Sequence, residues 1–299
     1  GNTLEQAQLA KLEHVCRKLR LKPGMTVVEA GCGWGGLARY MARNYGVKVH
    51  SYNISREQLA YAQAESERQG LDGLITYVED DYRNITGQYD AFVSVGMLEH
   101  VGKENYRALS ELIKRSLKPN GIALLHSIGR NRPMLMNAWI EKRIFPGAYP
   151  PSIGEFMEIC EHSDFSVLDV ENLRLHYAQT LSHWTERFEA NAERVTEMYD
   201  EHFTRAWRLY LAGSIAAFRA GSLQPAPERI EVTQLVADGL AAVSMAAEAR
   251  GVELVGDLDV HFLHDGIPQR QLVGVWEAPS VPEHPTHPPA PHPPPSPPP

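Results

Sequence analysis

"VVEAGCGWGGLARY", Val27–Tyr40, begins as a short run of strand-forming residues, turns through a glycine-rich stretch, and continues with helical spacing. Strand, Gly-rich turn and helix in that order make the first half of a parallel β-α-β unit. Upstream, "TLEQAQLAKLEHVCRKLRL" predicts a helix. Thr3 and Gln6 have capping-box spacing, and Leu12, Val15, Cys16 and Leu19 recur on one face. "KPG", Lys22–Gly24, ends it. Downstream, the apolar runs "VKVHSY", "LITYV", "AFVSVG" and "IALLHSIG" alternate with the amphipathic runs "SREQLAYAQAESERQG" and "ENYRALSELIKRSL". That alternation predicts an α/β fold, a doubly wound, mostly parallel sheet with helices on both faces.

The 299 residues suffice for one large or two small domains, and 43% hydrophobic with 22% charged is the balance of an ordinary globular chain. No apolar run approaches the roughly 20 residues that span a bilayer, and the amino terminus has no signal-peptide pattern. Cys16, Cys32 and Cys160 have neither paired nor metal-ligand spacing, which points to a reduced, cytoplasmic setting. A net charge of -8 argues against nucleic-acid binding but leaves room for a local basic patch.

Beyond Gly129 the pattern changes. "GRNRPMLMNAWIEKRIFPGAYPPS" is apolar, aromatic and locally basic through Arg130, Arg132, Lys142 and Arg143, and residues 180–220 read as aromatic-rich helix. Residues 225–278 form an atypical extension, in which 230–249 has helical character and "RQLVGVWEA", Arg270–Ala278, has strand character. Residues 279–299 hold 12 of the 21 prolines and read as an extended, disordered tail. His261 and His264 lack a third ligand, so no metal site is expected.

Gly31, Gly33 and Gly35 allow a ligand close to the backbone, and Gly36 completes G-x-G-x-x-G as well. The competing explanation is close helix–strand packing. Glu29, just before the turn, would repel a pyrophosphate and attract an amine, which favours a zwitterion such as S-adenosylmethionine. "FVSVGMLEHVG", Phe92–Gly102, runs from an apolar strand straight into Glu99. His126 ends the next strand, on the face shared by Ile122, Leu124 and Ile128. In such a sheet ligands bind beyond the carboxyl ends of the strands, where these two side chains converge. The alternative gives Glu99 to helix capping and His126 to a hydrogen-bonded core.

Taken together, "LKPGMTVVEAGCGWGGLARYMARNYGVKV", "SVGMLEHVGKENY", "LLHSIG", "WIEKRIFPG", "YPPS", "HYAQTLSHW" and "AFRAGSLQ" resemble, in this order, the cyclopropane fatty acid synthases. The resemblance covers about residues 1–224. It implies a methyltransferase sheet of the seven-stranded type, with a helical insertion over an acyl pocket at about 130–220. It also implies S-adenosylmethionine-dependent methylene transfer to a cis double bond of an unsaturated phospholipid. For the cofactor it points to Glu29, Gly31, Gly33 and Gly35, to Asn53 and Gln58 after the second strand, and to Asp81 and Tyr82 in "EDDYRNI". Asn53 departs from the family's usual Thr but stays polar, and Ser55 with Gln58 is equally a capping box.

Ring closure in this family uses a bound bicarbonate ion as base. The resemblance assigns it to the side chains of Glu99, His126 and Tyr177 and the backbone of Gly96 and Ile128. Trp139, Phe145, Trp184 and Tyr210 are candidates for facing a cation, against a plainer role as lining or core. The family also carries a segment resembling Tyr-Ser-Cys-x-Tyr before the first helix, and its Cys touches the bicarbonate. The sequence given begins after that point, and none of its three cysteines takes the role by alignment. Either the segment was lost, or the anion site lacks a ligand. The family's final strand should follow Gln224; Arg270–Ala278 is the expected replacement. The implied setting is cytoplasmic, peripheral at the inner face of the membrane, with the phospholipid bilayer contacted through Arg130–Tyr149. A homodimer is a further partner expectation. A relative giving methyl-branched lipid or methylating a small amine, and a non-catalytic S-adenosylmethionine-binding protein, are the alternatives.

Overall fold

The predicted strands and helices form in register with their apolar spacing. β1 (Thr26–Ala30), β2 (Lys48–Asn53), β3 (Ile75–Glu79), β4 (Tyr89–Val95) and β5 (Leu117–Gly129) are parallel, and β6 (Arg270–Val273) joins antiparallel to β5. The order is β3-β2-β1-β4-β5-β6. The computed structural model describes residues 3–220 and 270–273, with six strands among them; 225–269 and the Pro-rich tail lie outside the described residues. Arg270–Val273 thus takes the sheet edge beside His126–Gly129, and residues 274–278 are not described.

Helices α1 (Leu4–Lys18), α2 (Gly36–Tyr45), α3 (Arg56–Arg68) and α4 (Tyr106–Ser116) connect and flank the strands. α1 starts with the full Thr3–Gln6 capping box. Alternation along the strands sorts side chains between two cores. Val27, Val49, Ala91, Val93 and Leu124 pack with α1 and α2 on one face. Val28, Phe92 and Leu125 pack with α4 on the other. β5 begins five residues before Ile122. Its Lys118–Gly121 stretch is polar, and the register to β4 shifts between Tyr89 and Ala91, with Asn120 at φ 62°.

After β5 come α5 (Ala138–Arg143), α6 (Ile153–His162), α7 (Arg174–Glu189), α8 (Ala192–Met198) and α9 (Glu201–Ala220). α6 belongs to the sheet layer, because Phe156 and Ile159 join the α4 core. α7 and α9 build a separate apolar unit from Ala178, Leu181, Leu211 and Phe218, with Ile128, Tyr177 and Tyr210 packed against it. Ile128 is where this cap meets the end of β5. Among the described residues no helix is long and apolar enough to cross a membrane.

Candidate active site

The strand order reverses between β1 and β4, which opens a crevice at their carboxyl ends. The turn after β1 forms one wall. Gly31 and Cys32 donate their N–H groups to the Tyr52 carbonyl at 3.0 and 3.1 Å, tying the turn to the end of β2. Gly35 adopts φ 73° at the α2 cap, and a Cβ there would lie 2.5 Å from the Tyr77 hydroxyl and 2.8 Å from Ala62. Glycine is needed at that position for packing. Gly33 differs: it also has positive φ, yet a Cβ would meet nothing within 4 Å among the described residues. Across the crevice, Met97 packs close to Gly31.

Glu29 is buried at the end of β1 and accepts a hydrogen bond from Ser51 Oγ at 2.8 Å. Burial pushes its carboxyl up to about 7, against the lowering effects of Ser51 and Arg39. A cationic ligand group would reverse that shift. Ser51 carries no sequence signal; only the β1–β2 pairing of Glu29 with Ser51 reveals it. Asn53 donates to the Gly33 carbonyl at 3.2 Å and to Gln58 Oε1 at 2.8 Å. Ser55 caps α3 by accepting from the Gln58 N–H, but the Gln58 side chain turns toward Asn53 instead of completing a capping box. Asp81 is engaged by Arg83, which donates to both carboxylate oxygens at 2.8 and 2.7 Å and holds the acid below its usual range. Tyr82 packs against the α4 core.

The second wall follows β4 and β5. Gly96 takes φ 69° and donates its N–H to the His126 carbonyl at 2.9 Å, and no atom would crowd a Cβ there. Glu99 is buried in a short 3-10 turn, Leu98–His100, and does not cap α4, whose N-cap is Asn105. Its Oε1 accepts from the Ile128 N–H at 2.6 Å, while Oε2 is buried with no partner among the described residues. The Tyr149 N–H grips the Glu99 carbonyl at 2.6 Å. Burial raises the Glu99 carboxyl above its usual range and holds the His126 imidazole down at about 4, hence neutral at pH 7. Tyr177, on α7, lies within electrostatic range of Glu99 and Tyr210, and burial raises its hydroxyl.

Glu99, Ile128 and Tyr177 are therefore neighbours. Of the four aromatic candidates, Phe145 and Tyr210 meet edge-to-face at 5.9 Å, with His100 at 6.4 Å from Phe145. Trp184 sits 6.1 Å from Tyr177 and is partly exposed; Trp139 lies on α5. Trp207, not singled out in the sequence, extends the series 5.1 Å beyond Tyr210. Its signal was the Phe203–Trp207 i,i+4 spacing, and the two rings stack at 5.8 Å. The cysteines stand apart from Glu99's partners: Cys16 is buried in α1, Cys32 in the Gly-rich turn, and Cys160 is half-buried in α6.

One expectation is corrected. Arg130 is not a surface cation: it is 3% exposed. Its guanidinium donates to the Met134 and Leu135 carbonyls and to Met136 Sδ. It folds the start of the insertion back on itself. Arg132, Lys142 and Arg143 are exposed.

A parallel sheet with this strand order, a Gly-rich turn after an acidic β1 and a helical cap is the architecture of a methyltransferase domain. The mycolic acid cyclopropane synthase CmaA1, in a structure complexed with SAH and CTAB, matches it with a TM-score of 0.67 and 30% identity, over 74% of this chain and 82% of that one. The family model for mycolic acid cyclopropane synthetase matches residues 1–226, and the chain belongs to that family. The cyclopropane-fatty-acyl-phospholipid synthase of Escherichia coli K12 is 45% identical over 225 residues, 75% of this chain. A probable fatty acid methyltransferase of Pseudomonas putida is 40% identical over 229 residues, 74% of this chain. The chain spans 58% of the length of each of these two curated relatives.

Proposed function

We propose that this chain transfers a methylene group from S-adenosylmethionine to a cis double bond in the acyl chain of an unsaturated phospholipid, forming a cyclopropane ring. The observation that carries this reading is Glu99: one oxygen is fixed by the Ile128 N–H and the other is buried with no hydrogen-bond partner among the described residues, within electrostatic range of Tyr177. A buried, unsatisfied carboxylate oxygen is costly and persists where a ligand completes it.

S-adenosylmethionine would supply an electrophilic methyl group, and bicarbonate would supply a base for the proton lost on ring closure. Glu29, Gly31, Gly33, Gly35, Asn53 and Gln58 suit the amino acid part of the cofactor. Glu29 favours its amine, and the open face of Gly33 admits it to the backbone. Tyr82 would line the adenine end, and Asp81 would share its carboxylate with Arg83. Glu99 and Tyr177 suit the anion, which they would orient by hydrogen bonds, with His126 as a neutral neighbour. The alkene is a weak nucleophile, and its methylation leaves a carbocation on the substrate. The apolar cap of α7 and α9 keeps water from that cation, and the Phe145 and Tyr210 rings offer it π faces. The P. putida relative, named as a fatty acid methyltransferase, keeps a methyl-branched product as the second reading.

The test is incubation with S-adenosylmethionine, bicarbonate and unsaturated phospholipid vesicles, with mass spectrometry and NMR of the fatty acids. Cyclopropane protons are the expected result, and branched-methyl signals would select the second reading. Bound cofactor without lipid product would overturn both. Glu99→Gln keeps the shape of the site. Because the anion that Glu99 orients would be the base, the change is expected to lower turnover by about 100-fold or more while leaving cofactor affinity unchanged, the scale of losing a general base.

A further inference from the structure

α1 and β5 contribute side chains to one apolar cluster on the same face of the sheet. α1 ends at Lys18 and the chain enters β1 at Thr26, so the carboxyl end of α1 lies at the far edge of the sheet and its amino end points to the catalytic edge. Val15, Cys16 and Leu19 share an apolar cluster with Leu124, and Leu12 and Ile122 pack on it. Along β5, His126 follows Ile122 and Leu124 on that same face. Four residues back along a helix cover about 6 Å, and two residues forward along a strand about 6.6 Å. One turn before Val15 therefore runs toward the layer of His126. The residue there is Lys11.

Two independent observations agree. Lys11 is half-buried, and after burial its positive charge is the next influence that favours the neutral His126 imidazole. α1 is also strapped to both ends of the α7 region that carries Tyr177. Glu5 pairs with Arg187, His14 with Glu171 at 2.6 Å, and Lys18 with Asp169 and Glu171 at 2.7 Å each. Lys11 sits midway between these clasps. Burial lowers its pKa with no carboxylate among the described residues to oppose the shift.

Among the described residues no carboxylate pairs with Lys11, while an anion bound beside Glu99 would call for a cation. Glu99 and a bicarbonate ion would set two negative charges side by side, and Tyr177 and His126 are both neutral. The geometry points to Lys11 as the compensating cation of the anion site, a residue that favours bicarbonate binding by charge. This rests on the bicarbonate reading given above.

The experiment uses the full 299-residue chain and its Lys11→Met and Lys11→Arg variants. Bicarbonate affinity is measured by calorimetry with S-adenosylhomocysteine present. S-adenosylhomocysteine affinity is measured alone, and the His126 ring is titrated by NMR. Lys11→Met should weaken bicarbonate by about tenfold or more and Lys11→Arg by no more than about threefold, the scale of one charge in a partly buried site. Neither variant should change S-adenosylhomocysteine affinity. In Lys11→Met the His126 titration should move upward, because a neighbouring positive charge is gone. Should Lys11→Met not fold, Lys11→Gln makes the same test. Unchanged bicarbonate affinity in Lys11→Met, an equal loss in Lys11→Arg, or an unmoved His126 would overturn the role of Lys11 alone. Failure of the unaltered chain to bind bicarbonate would overturn the base assignment, and the role of Lys11 with it.

Discussion

In the proposed function, Glu29 would join cofactor recognition to stability through one buried carboxyl. Its folded pKa of about 7 lies above the 4.5 of an exposed glutamate. The stability contributed by the neutral form is thus complete below about 4.5 and is lost as pH rises through about 7. Glu29→Gln has the same shape and cannot ionise. It should raise the melting temperature of the cofactor-free protein at pH 8 but hardly at pH 5, by the equivalent of roughly 1–3 kcal/mol. The same change removes the charge that favours an amine, so S-adenosylhomocysteine affinity should fall by about 10- to 100-fold. Thermal scans at both pH values and one calorimetric titration decide it; an equal gain at pH 5 and pH 8 would show that Glu29 does not titrate in this range. His126 departs from its ordinary value in the opposite direction. Its folded pKa of about 4 lies below 6.5, so its contribution holds above 6.5 and is lost as pH falls through about 4.

At the scale of the element, the Gly-rich turn divides its glycines between packing and access. Gly35→Ala would place a methyl against Tyr77, Ala62 and Arg39 at positive φ. It should cost about 1–3 kcal/mol of stability, with cofactor affinity lost in consequence. Gly33→Ala meets no atom within 4 Å among the described residues. Only its backbone strain of about 1 kcal/mol should appear in stability, while cofactor affinity drops out of proportion. Denaturant unfolding and cofactor titration of the two variants separate the roles, and equal stability losses would contradict the division. The strands of this unit were legible because each is a short apolar run closed by turn residues. The start of β5 was not, because Lys118–Gly121 is polar and enters the sheet only through its pairing with β4. The acid after β4 was legible as an anomaly, an acid where an apolar strand ends. Its hydrogen bond to the Ile128 N–H is a tertiary contact across 29 residues, which no local pattern encodes.

At the scale of the whole molecule, the question is how a chain with a net charge of -8 would meet an anionic bilayer. With Arg130 buried, the exposed cations of the segment after β5 are Arg132, Lys142 and Arg143 against Glu141, a net of +2. Leu135 beside them is 81% exposed, an apolar side chain available to an interface. A basic run in sequence cannot distinguish Arg130 from Arg132. The difference arises from the carbonyls of Met134 and Leu135, which turn back onto one guanidinium and not the other. Each cation near an anionic surface is worth roughly 1 kcal/mol. Reversing Arg132, Lys142 and Arg143 together to Glu should therefore weaken binding to anionic vesicles by about 100-fold or more, with melting temperature unchanged. Arg130→Met should do the converse, lowering the melting temperature while the folded protein keeps its vesicle affinity. Added salt should weaken the wild type far more than the triple variant, because only the former would bind by charge attraction. Vesicle binding that survives the triple reversal would move the contact to another face, and with it the proposed route of an acyl chain toward Glu99.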